Sequence, residues 1–303
     1  MPGSEGRMFT IIGLGEVLWD IFEDGKALGG APCNFAYHVR ALGHEGVPLT
    51  RVGTDELGRE IVELLEQSGL PTDRVQRDRC HPTGRVTVKL HGQGSPQFTI
   101  IEDVAWDYME ADRTWLETAR GAHAVCFGTL AQRSPSSRKA IRAVLTAAAG
   151  AGACIVCDLN FRQHFYDVDV VRDSLARSQI VKLNEEEVAA LCPLLGEMEG
   201  EEEMAHTLIG EFDARLVCVT RGERGCTLYA AGEVVSAPVP PVKVVDTVGS
   251  GDAFTAGMVI KHLEGRPLAA IAEAANLLGS FVAGKRGAMP RLDASVADRF
   301  GGL

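Results

Sequence analysis

Apolar stretches that run continuously, instead of alternating with polar residues, constrain this chain most. They are Phe9–Val17, Leu49–Gly53, Ala122–Gly128, Cys154–Asn160, Ile180–Asn184 and Arg215–Gly222. A strand that is apolar on both faces must be buried on both faces. Between several of these runs lie amphipathic stretches. Leu57, Ile61, Leu64 and Leu65 form the i, i+4, i+7, i+8 stripe of a core-facing helix. Ser134-Pro135-Ser136 reads as a helix start ahead of Ile141, Val144 and Leu145. Repeated strand–helix order of this kind predicts a parallel sheet with helices on each side.

One region breaks the rhythm. Thr83–Leu90 and Gln97–Glu102 are consecutive strand patterns joined by the glycine-rich turn His91–Pro96, which predicts a hairpin. An antiparallel hairpin inserted in a parallel α/β chain suits a lid or an edge element. The acidic stretch Gly196–Glu203 reads as a solvated loop and helix start. No long linker or internal repeat divides the 303 residues. The expectation is one α/β domain over residues 8–303, with a lid built from about 18–28 and 82–104.

Charge narrows the partners. Thirty Lys and Arg against 41 Asp and Glu leave a net charge of −11. Nucleic acid and anionic membrane surfaces repel such a chain, although a local basic site remains compatible with an anionic substrate. No apolar run is long enough to cross a bilayer. Met1–Arg7 lacks the charged and apolar regions of a signal peptide, so a cytoplasmic enzyme is expected. Most of the eight cysteines sit inside apolar runs, where a reduced thiol behaves as a small hydrophobe. Cys154-x-x-Cys157 has redox or metal spacing, but in an extended strand an offset of three puts the two side chains on opposite faces.

Two nucleotide motifs fall short. Gly13-Leu-Gly15 lacks the third glycine of a dinucleotide fingerprint, which disfavours an oxidoreductase. Gly279–Lys285 resembles a phosphate-binding loop, but Arg286 stands where Ser or Thr should meet magnesium. The strongest signal is Val244-Val-Asp-Thr-Val-Gly-Ser-Gly-Asp-Ala-Phe-Thr-Ala-Gly257. It reads as a strand ending at Val245, a Gly-Ser-Gly turn, and a helix carrying Phe254, Met258 and Leu263. Unobstructed amides at a helix N-terminus make an anion site. Asp252 stands beside that site; its alternative role is a plain N-terminal cap. A second cluster, Gly29-Gly30-Ala31-Pro32-Cys33-Asn34-Phe35-Ala36, is a glycine turn entering a helix.

Together these clusters resemble the two signature segments of the ribokinase-like, phosphofructokinase-B-type carbohydrate kinases. Val52-Gly53-x-Asp55 with Gly58, Asn184-x-x-Glu187 and Thr220-Arg-Gly-Glu-Arg-Gly225 match further family segments in the expected order. The resemblance spans Phe9 to Arg291. It implies an α/β three-layer sandwich with a mostly parallel central sheet and a small β lid. It also implies an ATP-dependent sugar kinase. By that resemblance Asp252 is the catalytic base, and the amides of Gly249, Ser250 and Gly251 form the anion hole. Asn184 and Glu187 organise Mg2+ and its waters near the phosphates. Thr220, Gly222 and Gly225 form the nucleotide-side loop, and Asp20, Gly30 and Asn34 hold sugar hydroxyls. Asp246 and the Val248 carbonyl belong to a site for a monovalent cation, K+, completed near Gly284–Gly287. A non-catalytic sugar or nucleotide sensor is the reading from another class. The intact set Asp252, Gly249, Gly251, Asn184 and Glu187 favours the enzyme.

The segments Glu16-Val-Leu-Trp-Asp20, His81-Pro-Thr-Gly84 and Glu102-Asp-Val-Ala-Trp-Asp107 resemble the fructokinase branch. Fructose, phosphorylated on a primary hydroxyl, is therefore expected, with 2-keto-3-deoxygluconate and ribose as alternatives. Asp158-x-Asn160-x-Arg162 is shared by fructokinases and 2-keto-3-deoxygluconate kinases. Arg162 then faces a phosphate or a substrate carboxylate, or else forms a structural ion pair. Arg85 in the hairpin either meets an anionic substrate likewise or is an ordinary exposed strand arginine. Trp19 and Trp106 either stack on the sugar or pack in the core or lid. Apolar residues Val86, Val88, Phe98 and Ile100 are expected on an outer lid face that a homodimer would bury.

Overall fold

The computed structural model describes residues 7–89, 97–196 and 198–303. The chain opens with β1 (Thr10–Leu14), β2 (Leu18–Phe22), β3 (Gly25–Gly29), α1 (Ala31–Ala41), β4 (Glu45–Leu49) and β5 (Arg51–Gly53). There follow α2 (Glu56–Gln67), β6 (Gln76–Asp78), β7 (Arg85–Lys89), β8 (Gln97–Ile100), α3 (Arg113–Gly121), β9 (Ala124–Phe127), α4 (Pro135–Gly150) and β10 (Cys154–Asp158). Next come α5 (Val168–Ala176), β11 (Ile180–Asn184), α6 (Glu185–Leu195), α7 (Glu201–Glu211), β12 (Leu216–Thr220), β13 (Cys226–Ala230) and β14 (Glu233–Ala237). The last helices are α8 (Ser250–Leu263), α9 (Leu268–Ala283) and α10 (Ala294–Gly302).

The large sheet has the order β14-β13-β12-β11-β10-β9-β1-β4. It is parallel from β4 through β12, and β13 pairs antiparallel with both β12 and β14. The continuous apolar runs are explained by the two cores they feed. Ile12, Val125, Ile155 and Val181 pack on one face with α3 to α7. Ile11, Cys126, Val156 and Ile180 pack on the other with α1, α8, α9 and α10. The same alternation separates Cys157 from Cys154, and all eight cysteines are free thiols.

A second, four-stranded sheet has the order β3-β2-β7-β8. Hairpins β2–β3 and β7–β8 meet through a parallel β2–β7 pairing. The expected hairpin is present, and its connecting turn His91–Pro96 lies outside the described residues. Its outward apolar face is corrected at two positions. Val86 and Ile100 are 5% and 8% exposed and belong to the main core cluster, so they face inward. The side chains of Val88 and Phe98 lie outside what is described. The homodimer expectation loses the surface that motivated it at Val86 and Ile100.

Two further expectations change. The Leu49–Gly53 run divides at Thr50: Leu49 ends β4 in the large sheet, whereas β5 pairs with β6 in a two-stranded sheet. Gly46 and Pro48 disguise β4 in the sequence. A proline is tolerated there because β4 is the edge strand. The strand expected to end at Val245 does not form. Pro238, Pro240 and Pro241 remove ladder donors. The Val245 and Asp246 amides donate instead to the Ala283 carbonyl at the end of α9, and Val244 and Val245 are exposed.

Candidate active site

Because the strands are parallel, their C-terminal ends present one edge, and ligands of open α/β sheets bind outside that edge. A cleft of about 820 Å³ lies there. Its walls carry Glu16 after β1, Arg162 after β10, Asn184 ending β11, Thr220 ending β12 and Asp252 in α8. Val86 and Ile100 of the small sheet close it from above, with Asp20 of β2 beside them. A groove of about 380 Å³ adjoins it, walled by Gly222, Gly225, Val242, Val244, Ser250 and Asn276. Thr220, Thr247 and Gly251 border both spaces, so Gly251 marks their junction.

Nearly every residue expected from the sequence reaches this place. Asp20, Gly30, Asn34, Arg162, Asn184, Glu187, Thr220, Val248, Gly249, Gly251 and Asp252 line the cleft. Gly222, Gly225 and Ser250 line the groove. Asp246 stands behind, accepting hydrogen bonds from the Val248 and Gly287 amides at 3.0 Å each. Arg85 is exposed and is not part of the cleft wall. Trp19 and Trp106 are buried in the core, with the Trp19 indole donating to the Leu57 carbonyl, so packing and not sugar stacking is their role.

The turn before α8 depends on Gly249. Its φ is 76°, and a Cβ there would lie 2.6 Å from the Ala288 Cα. Helix α8 has no side-chain cap, so among the described residues no side chain occupies its first-turn amides. The Ser250 amide closes on the Thr247 carbonyl at 3.2 Å, which reduces its part in the expected anion hole relative to Gly249 and Gly251. Asp252 is not a plain cap. Its Oδ2 accepts a hydrogen bond from Asn34 Nδ2 at 2.8 Å, joining α1 to α8. Burial pushes its carboxyl up to about 6, while Asn34, Lys182 and Arg162 hold it down.

A family profile, pfkB family carbohydrate kinase, matches residues 12–294. The chain belongs to this family. It is similar to an uncharacterized sugar kinase of Pyrococcus horikoshii whose crystal structure is a complex with ATP. That match has 29% identity and a TM-score of 0.79, covering 92% of this chain and 94% of the other. It is 31% identical to a fructokinase of Klebsiella pneumoniae, over 81% of this chain and 82% of the relative. It shares its fold with a Vibrio cholerae fructokinase solved with fructose, ADP and calcium, at TM-score 0.81 and 23% identity over 97% and 98% of the two chains.

Two features of this kinase's site were not assigned from the sequence. Lys182 and Asp158 form a buried pair, with Nζ 3.1 Å from both carboxylate oxygens. Thr255 of α8 donates to the same carboxylate at 3.0 Å. Lys182 Nζ lies 3.3 Å from where a Cβ on Gly251 would sit, which places a cation at the junction of cleft and groove. Burial opposes its charge, but Asp158 and Glu187 together raise its pKa above the ordinary lysine value. The signal was present in the sequence: a lysine inside the apolar run of β11 has no place in a core unless it is paired. The second feature is Glu16, which is 3% exposed, with Oε2 unpartnered among the described residues. Burial pushes its carboxyl up to about 7. It also borders a cavity of about 10 Å³ shared with Asp158 and Asp252, room for about one water.

Asn184 and Glu187 form a reciprocal capping box on α6. Asn184 Oδ1 accepts from the Glu187 amide at 2.9 Å, and Glu187 Oε2 accepts from the Asn184 amide at 2.8 Å. Arg162 is exposed and makes no ion pair among the described residues, which removes its structural alternative. Among the described residues no cluster of three or more His, Cys, Asp or Glu could hold a metal alone. Magnesium fits that pattern when phosphates and waters supply most ligands, because it keeps several waters.

Proposed function

We propose that the kinase transfers the γ-phosphoryl group of ATP to a primary hydroxyl of fructose. The acidic lining of the acceptor cleft carries this reading. Glu16, Asp20 and Asp252 face the space, and the Lys182 charge is already matched by Asp158. Such a wall suits a neutral polyol and repels a carboxylate. Similarity to the Klebsiella pneumoniae fructokinase supports the same choice.

The Asn34 amide occupies Asp252 Oδ2, which leaves Oδ1 for the acceptor hydroxyl. Asp252 takes that proton as the sugar oxygen bonds to the γ-phosphorus and the bond to the bridging oxygen of ADP breaks. General-base help of this kind is worth about 10²–10⁴-fold. The Gly249 and Gly251 amides meet the negative charge of the transferred group. Asn184 and Glu187 would hold magnesium through waters, and the ion would supply neutralisation of the phosphates. A monovalent cation beside Asp246 and Val248 would steady the turn that carries these amides. The small sheet acts as a lid that keeps water from competing as acceptor.

The exposed Arg162 favours a second reading, 2-keto-3-deoxygluconate, whose carboxylate it would meet. A coupled ADP-release assay over a panel of sugars separates the two. Fructose should give the higher kcat/KM. A preference of about tenfold or more for the sugar acid, about 1.4 kcal/mol, would reverse the assignment.

A further inference from the structure

Glu187 does more than cap its own helix. Its two carboxylate oxygens grip different segments: Oε2 holds the Asn184 amide, and Oε1 accepts the Phe161 amide at 3.0 Å. A capping box accounts for the first bond only. The second reaches the loop after β10, across 26 positions of sequence. That loop is unusual. Asn160 and Gln163, one on each side of Phe161 and Arg162, have φ of 45° and 49°. Asparagine enters left-handed backbone readily, but glutamine seldom does, so the Gln163 conformation is one that its surroundings impose. The Phe161 ring, stacked on Tyr166 with centroids 4.0 Å apart, is a second anchor for the loop. Asn160, Arg162 and Gln163 all line the cleft.

We propose that Glu187 is a positioning residue for the acceptor side of the cleft. Through the Phe161 amide it holds residues 160–163, and with them Arg162, in place over the sugar. Burial raises the carboxyls of Glu16, Asp20 and Asp252, and the loop's cation, within electrostatic reach of all three, opposes that rise. The residue beside the phosphates and the cation beside the acceptor are thereby one mechanical unit. This rests on reading the cleft as the sugar site, and failure of that reading shows separately, as a wild-type protein that phosphorylates no sugar.

The test uses Glu187→Gln. A glutamine has one acceptor and one donor end, so it must lose either the Asn184 or the Phe161 bond. Binding of the best sugar from the panel is measured by calorimetry with EDTA present and no nucleotide. The proteins are wild type, E187Q, R162A and the double variant. E187Q should weaken this metal-free binding about fivefold or more, the scale of one buried hydrogen bond. The double variant should bind as R162A does, because the two changes act through one loop. A smaller loss in E187Q, or effects that multiply in the double variant, would overturn the proposal and return Glu187 to a metal-side role. If E187Q does not fold, or wild-type binding without nucleotide is too weak to measure, amide exchange at Phe161 in the metal-free wild type decides. Protection is expected, and exchange at the rate of an unstructured peptide would overturn the proposal.

Discussion

Replacing Lys182 by methionine tests the charge balance on which the site stands. The side chain is 9% exposed and lies 3.1 Å from both oxygens of an equally buried Asp158. Methionine keeps the apolar stem and removes the cation, leaving buried Asp158, among the described residues, with the Thr255 hydroxyl as its remaining side-chain hydrogen-bond partner. Breaking a buried pair in this way costs about 3–5 kcal/mol. Removing both charges costs less, since the desolvation penalty of each ion disappears with it. K182M should therefore lose about 3–5 kcal/mol, and K182M with Asp158→Asn should recover more than half of that loss. Urea unfolding of the wild type, both single variants and the double variant reads the four corners of the cycle. A K182M protein within about 1 kcal/mol of wild type, or a double variant no better than K182M, would refute the claim that this pair is a desolvated charge couple.

Asp252→Asn should keep the fold and ADP binding while kcat falls about 10²–10⁴-fold, and near-wild-type turnover would remove Asp252 from the mechanism. Since the free-enzyme carboxyl titrates at about 6, kcat/KM should drop as pH falls below that value, checked as a pH–rate profile that N34A displaces. Glu16 has a folded-state pKa raised from 4.5 to about 7. Its contribution to stability is thus full below 4.5 and is lost as pH rises to 7. Glu16→Gln should change the melting temperature little at pH 4.5 and raise it at pH 8, by up to about 3 kcal/mol in stability terms; equal melting shifts at both pH values would contradict this. Turnover should stop with chelator and run faster in potassium than in sodium, and identical rates in the two salts would separate Asp246 from any cation site.

Much of the architecture was legible because it rests on local pattern. Continuous apolar runs with helical stripes between them leave few options besides a parallel sheet covered on both faces, and Ile11 and Ile12 do feed opposite cores. The Gly-Ser-Gly-Asp turn was legible for a similar reason: few residues other than glycine accept the backbone at position 249. Asp158, Lys182 and Thr255, by contrast, come from β10, β11 and α8. No spacing in the chain announces that their side chains meet, because their contact depends on strand order and on the direction in which α8 enters. The inward turn of Val86 and Ile100 was hidden likewise, since period-two alternation distinguishes two faces of a strand but does not say which one covers the core. The sequence by itself thus determined the layers and the phosphate-facing turn, through backbone sterics and hydrophobic period. Only the tertiary structure decided which buried charges pair and which carboxylate holds the Arg162 loop, because those choices are made between segments far apart in the chain.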